Sequence, residues 1–314
     1  LLQMGESYWP QAQILFEEWL QENPNDSEGD FARLQLGKIH FRFDRPQVAE
    51  ETLSPILPSS RLYGPARSLM GQALFQRMLR YQEKNASAQA TDLAPRIAKY
   101  HQEALQHSLT EKESQISNYQ AGYTLYQNNL FKEALPFWEN YLESAEPSKE
   151  TEDIRYRVAT IHQSQQNWLQ AEQRYGEYAT SSLDLPEENK AQATFWWAEV
   201  AFQRAAEQLE ASANSGTLDS AFVKEIVPRY EKYLATNDSN YRPLAAFRLG
   251  QLYQSIDQPQ QAVTAYQRYL KTKDEAFQQE AHYELGMLYA RQNEPKLALG
   301  QLLPLRSQER YLKE

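Results

Sequence analysis

Glycine is scarce in this chain, and the places where it falls constrain the fold more than any other feature. Leu249-Gly250-x-x-Tyr253 is followed by Ala262 and Tyr266, and Leu285-Gly286-x-x-Tyr289 by Ala298 and Leu302, every position displaced by 36 residues. Three further stretches keep the template: Leu36-Gly37-x-x-His40 with Ala49 and Leu53, Ala121-Gly122-x-x-Leu125 with Ala134 and Trp138, and Val158-Ala159-x-x-His162 with Ala171 and Tyr175. Five copies in step mark a repeat architecture, in which each unit buries its apolar face against its neighbours.

Each copy reads as two helices. Phe247, Leu249-Gly250, Tyr253 and Gln254 share one helical face, and Ala262, Tyr266, Tyr269 and Leu270 share another. Gly250 and Ala262 are expected to face one another so that two backbones approach closely. Asp44-Arg45-Pro46, Asp257-Gln258-Pro259 and Asn293-Glu294-Pro295 recur at the junction. There Asp or Asn suits a cap, and Pro suits a first helical turn, where its missing N–H costs nothing.

On these residues the chain resembles the tetratricopeptide repeat (TPR) family, whose unit is a 34-residue helix–turn–helix. The resemblance implies an all-α fold: a right-handed superhelical solenoid of stacked antiparallel hairpins. Anchors at 37, 71, 122, 159, 198, 250 and 286 give about seven repeats, assigned to 26–60, 61–110, 111–148, 149–184, 185–238, 239–274 and 275–305 of one continuous array. A partial repeat at 1–25 (Ala12, Phe16, Trp19) and the start of a further helix at 306–314 flank them. The cut repeats, and a first residue that is not Met, predict a parent chain that continues beyond this segment.

Two repeats are lengthened. After Met70-Gly71 a second helix is expected near Pro95, and after Trp197-Ala198 from about Ala221. The intervening stretches, Tyr81 to Thr91 and Ala205 to Ser220, read as solvated extensions with loose tips at Asn85-Ala86-Ser87 and Asn214-Ser215-Gly216. A three-hairpin block recurs at 127 or 128 residues, which reads as a duplication.

Composition removes several functional classes. The 314 residues carry 32 basic and 42 acidic side chains, and a net charge of −10 argues against a phosphate-tracking nucleic-acid binder. No run of 18 apolar residues exists to span a membrane, and no cysteine exists to form a disulfide, a thiolate metal site or a nucleophile. His40 and His162 stand where sister repeats hold tyrosine, which makes them packing residues. His101 and His107 lie on different helix faces and cannot chelate one metal. The carboxylate neighbours Glu17-Glu18, Glu50-Glu51 and Glu187-Glu188 diverge by about 100° on a helix and form no dyad. With no Gly-rich phosphate loop or nucleophile elbow, the expectation is a non-enzyme without cofactor or metal. The sequons at Asn25, Asn85 and Asn237 carry weight only in a protein secreted from a eukaryotic cell.

In a solenoid of this kind the first helices line the concave side. Residues one turn either side of each anchor give a candidate partner groove: Phe41, Phe75, Tyr119, Tyr123, Tyr126, Tyr156, Gln163, Phe195, Phe202, Phe247, Gln251, Gln254 and Tyr283. Lys38, Ser68, Gln72, Thr160 and Glu199 share that face. Aromatic rings supply large contact area at low entropic cost, although they also pack between hairpins. TPR domains of co-chaperones grip a C-terminal carboxylate with Lys, Asn and Arg. This face offers Lys38 among Tyr, Phe, Ser and Gln, which departs from that pattern.

The expected function is a non-catalytic scaffold that binds a protein or peptide partner. A glycan-contacting scaffold of polysaccharide export, or the accessory repeats of a larger enzyme, are the alternatives. The spacings of 36 to 39, with phrases such as Phe16-Glu-Glu-Trp19-Leu-Gln-Glu-Asn-Pro24, are similar to TPR proteins of bacterial cell envelopes, and imply a periplasmic or outer-membrane-associated setting.

Overall fold

The computed structural model describes residues 6–23, 28–211 and 218–306. The sequon at Asn25, the tip at Asn214-Ser215-Gly216 and the further helix expected after Ser307 lie outside them. Among the described residues there are fifteen α-helices and no strand. Residue contacts divide the chain into two compact units, Leu1–Glu146 and Pro147–Glu314.

The first unit holds the lone helix α1 (Trp9–Glu22) and three hairpins: α2 (Gly29–Arg42) with α3 (Pro46–Leu53), α4 (Tyr63–Glu83) with α5 (Ser87–Leu105), and α6 (Glu111–Gln127) with α7 (Phe131–Ser144). The second holds four: α8 (Lys149–Ser164) with α9 (Trp168–Ala179), α10 (Glu187–Ala211) with α11 (Ser220–Leu234), α12 (Arg242–Ser255) with α13 (Pro259–Leu270), and α14 (Gln278–Arg291) with α15 (Pro295–Leu302). Within each unit the hairpins form a TPR-like stack, and the seven anchors each fall on the first helix of one hairpin.

The anchor glycine has a different use from the expected one. It makes room for a large side chain sixteen residues later. A Cβ on Gly250 would lie 2.5 Å from the Tyr266 ring, and one on Gly37 or Gly286 would lie 2.6 Å from Leu53 or Leu302. Gly122 opposes the indole of Trp138 in the same way. In the long hairpin Gly71 receives the imidazole of His101, thirty residues on.

The junction residues also act differently from the expectation. Asp44, Asn129, Gln166, Asp257 and Asn293 take positive φ, from 55° to 60° and 64°, each seven residues after an anchor. They end the first helix rather than cap the second, which begins two residues later without a side-chain cap. The backbone closes each end with a six-to-one bond, as in Arg45 N–H to His40 O at 2.9 Å and Gln258 N–H to Tyr253 O at 2.9 Å. Asp and Asn tolerate this left-handed conformation better than most residues, which explains their recurrence.

The first long hairpin corrects one expectation. Its second helix starts at Ser87, so Pro95 lies inside it, on the exposed side. The positive φ falls at Asn85, seven residues later than in the short hairpins, and each helix has gained seven residues. Most of the Tyr81–Thr91 stretch is exposed, as expected of a solvated extension, but one stripe of the added turns is packed: Met78, Ala90 and Leu93 are buried in one cluster with Leu74, Phe75 and Ile97. In the second long hairpin Ala205 and Val223 are likewise buried.

Candidate functional site

Numbering from the anchor sorts the first-helix positions by environment. Three residues before the anchor, Ser68, Phe195 and Phe247 pack between hairpins. Phe195 is fully buried and stacks on Tyr241 at 4.4 Å, and Phe247 stacks on Phe277 at 4.6 Å. Ser68 is buried and shares a 3.0 Å hydrogen bond with Ser117. Phe195 and Phe247 are therefore core residues and line no groove. Phe75 is also buried, under the edges of Tyr119 and Tyr123.

The remaining predicted groove residues are half-buried. Tyr119 and Tyr123 stack at 6.1 Å, Tyr126 leans on Phe131 and Trp138, and Tyr156 sits against Tyr175 and Tyr178. Phe202 lies under the Arg248 guanidinium at 4.2 Å, and Arg248 also donates to Gln251. Gln254 donates to Glu284 at 2.7 Å and accepts from Tyr266. Tyr283 is half-buried on α14. These contacts are with neighbouring hairpin residues and do not by themselves form a site.

Two clefts draw on the positions one and four residues after an anchor. In the first unit a cleft of about 470 Å³ lies between α2 and α4, with Trp9 of α1 and the first turns of α6 completing its lining. Trp9, Ile39, Phe41, Leu69 and Ile116 supply apolar surface, and Gln35 and Gln72 supply amides. Lys38, Arg42 and Lys112 are exposed on its lining, and the Arg42 guanidinium lies 5.8 Å from the Trp9 ring centroid. Among the described residues none of these three cations has an acidic partner. The cleft's one carboxylate, Glu113, is engaged in a capping box. It accepts from the Thr110 N–H at 2.9 Å and the Thr110 hydroxyl at 2.8 Å.

In the second unit a cleft of about 480 Å³ lies between the end of α8 and α10. Thr160, Gln163, Trp168, Trp196, Glu199 and Gln203 line it. Glu199 is buried and paired with Arg248 at 2.9 Å, and it accepts from the Tyr230 hydroxyl. Both clefts use the positions one and four after an anchor (Lys38 and Phe41, Thr160 and Gln163) and the position one after the next anchor (Gln72, Glu199). In both, the second wall is a lengthened first helix.

Of the thirteen predicted groove residues, Phe41 and Gln163 line these clefts. Trp9, Arg42, Lys112, Trp168, Trp196 and Gln203 were missed. Trp196 stands next to Phe195, and only the register on the anchor Ala198 separates a cleft residue from a core one.

His40, His101 and His162 are packing residues. His40 and His162 are buried, and desolvation lowers the His40 pKa. His101 is fully buried, and desolvation pushes it down to about 4, partly opposed by its 3.1 Å hydrogen bond to Gln120 Oε1. Among the described residues no group of three acidic or histidine side chains is placed to hold a metal, and no helix is long and apolar enough to cross a membrane.

No family model matches the chain, and no curated protein is similar to it. Several solved structures are similar. MamA from Desulfovibrio magneticus RS-1 is 13% identical over 66% of this chain and all of its own, with a TM-score of 0.42. PilF of Pseudomonas aeruginosa is 14% identical over 78% of this chain and 94% of its own, at 0.42. YrrB, described as a TPR protein with an unusual peptide-binding site, is 14% identical over 68% of this chain and 96% of its own, at 0.45. The structural neighbours thus include TPR proteins, while the form of the repeat itself rests on the anchor slots and helix ends described above.

Proposed function

We propose that this chain is a non-catalytic protein-interaction scaffold whose first unit takes an acidic partner segment carrying an aromatic or branched apolar side chain. One observation carries the reading. In a protein of net charge −10, three cations without an acidic partner among the described residues surround an apolar cleft. An acidic segment is attracted to Lys38, Arg42 and Lys112, and an apolar side chain removes the surface of the half-buried Trp9, Phe41 and Ile116 from water. The cleft's volume falls within the range of small-ligand and side-chain pockets. A bacterial envelope setting is part of the same proposal and rests on the repeat spacing.

Selection of random peptides against the purified chain tests the proposal. The expected binders carry Asp or Glu beside an aromatic or branched residue and weaken as salt rises. Lys38→Glu combined with Lys112→Glu is expected to cost at least about tenfold in affinity, mainly through charge reversal on an exposed rim. Binders that are neutral or basic, or that hold equally well to the double variant, would refute it.

A further inference from the structure

We propose that the cleft of the second unit is a separate binding site for a neutral pyranose sugar within an oligosaccharide. Its lining differs in kind from that of the first cleft. Two indoles, Trp168 and Trp196, are set beside two amides, Gln163 and Gln203. One face of a β-gluco-configured pyranose presents weakly positive C–H groups, and the π-face of an indole is electron-rich, so the two stack. The sugar's hydroxyls, each both donor and acceptor, then need fixed polar partners around the ring.

The amides are fixed before any ligand arrives. Gln203 donates through Nε2 to Glu199 at 2.9 Å, which leaves its Oε1 as an acceptor. Glu199 is itself immobilised by Arg248 at 2.9 Å and by the Tyr230 hydroxyl. On the opposite wall Gln163 Oε1 accepts from the buried Tyr175 hydroxyl at 2.6 Å, which leaves its Nε2 as a donor. One pinned donor and one pinned acceptor therefore lie on walls of the same cleft. Prefixed polar groups lower the entropic cost of binding.

The indoles are fixed as well. Trp196 is held edge-on to Phe195 and Tyr241, both at 5.1 Å, and Trp168 is the first residue of α9, packed against the buried cluster around Tyr175. Charge selects the ligand class. The one ionisable group in the lining, Glu199, already has Arg248 as its counter-charge, so the cleft offers no free cation to an acidic sugar. This inference does not depend on the peptide cleft, which lies in the other unit.

The test is calorimetric titration of the full chain with cellotetraose and with tetra-N-acetylchitotetraose, beside a charged comparator, tetragalacturonate. Saturable binding of at least one neutral oligosaccharide is expected, stronger than that of the comparator. Gln203→Ala is expected to weaken it about fivefold, the loss of one neutral hydrogen bond. Trp168→Ala is expected to weaken it at least about tenfold, with Trp168→Phe recovering most of the loss. Circular dichroism melting checks each variant, and if Trp168→Ala fails to fold, Trp168→Phe and Gln203→Ala carry the test. No saturable response to either neutral oligosaccharide, tighter binding of the acidic one, or binding that Gln203→Ala or a folded Trp168→Ala leaves unchanged would overturn the assignment.

Discussion

Replacing His101 by leucine isolates the cost of carrying an imidazole in an anchor slot. His101 is fully buried against Gly71, and its pKa falls from 6.5 to about 4 because burial disfavours the cation. The unfolded chain takes up this proton near pH 6.5, whereas the folded protein resists it down to about pH 4. The stability in question is complete above pH 6.5 and is lost as pH falls toward 4. At pH 4.5 the loss from this one group is about 2.5 kcal/mol. Leucine fits the test because Leu53 and Leu302 fill the equivalent slots at Gly37 and Gly286. The half-buried Gln120 has access to water in place of its histidine partner. Urea unfolding at pH 7 and pH 4.5 measures the effect, supported by an NMR titration of the His101 ring. The wild-type protein should lose about 2.5 kcal/mol more than His101→Leu between these pH values. The desolvated His40 contributes equally to both proteins and cancels in the difference. An equal loss in the two proteins, or a ring that titrates near 6.5 in the folded state, would refute the buried-slot account.

Two further perturbations test the packing. Gly250→Ala should cost ~1–3 kcal/mol in thermal or urea unfolding, because the buried Tyr266 ring blocks a Cβ there, whereas Gly300→Ala, with open space around it in α15, should stabilise by about 0.5–1 kcal/mol. Equal effects would contradict the slot. Glu172→Gln should cost roughly 3 kcal/mol, since buried Arg229 and half-buried Arg204 lose a carboxylate at 2.7 and 2.8 Å, and Glu172→Leu with Arg229→Met should recover most of it, measured by urea unfolding.

The repeat was legible because its backbone constraints restrict residue type. A slot occupied by a large side chain admits Gly or Ala, a left-handed helix end favours Asp or Asn, and a first helical turn accepts Pro. Gln166, also at positive φ, shows where this legibility ends, because its side chain gives no sign of it. The candidate site was less legible because an aromatic residue meets two demands equally well. Phe247 and Phe41 are the same residue type seven positions apart in register, yet one is buried between hairpins and the other lines a cleft. Whether Lys38 has a counter-charge, or whether Glu199 is already paired with Arg248, depends on contacts between helices far apart in sequence.

The lengthened hairpin explains how a repeat can gain a wall without losing its register. Seven residues span about 10 Å of helix and turn the face by only about 20° short of two full turns. Adding seven to both α4 and α5 therefore carries the apolar stripe onward on the same side. Met78, Ala90 and Leu93 are buried along that stripe, so the two added turns are held by the same kind of packing as the slot between Gly71 and His101. An insertion in one helix alone would leave its partner too short to cover it, exposing those side chains to water. The paired insertion keeps the slot at Gly71 and the cleft positions Leu69 and Gln72 in register with α2, which lets α4 serve both the stack and the cleft.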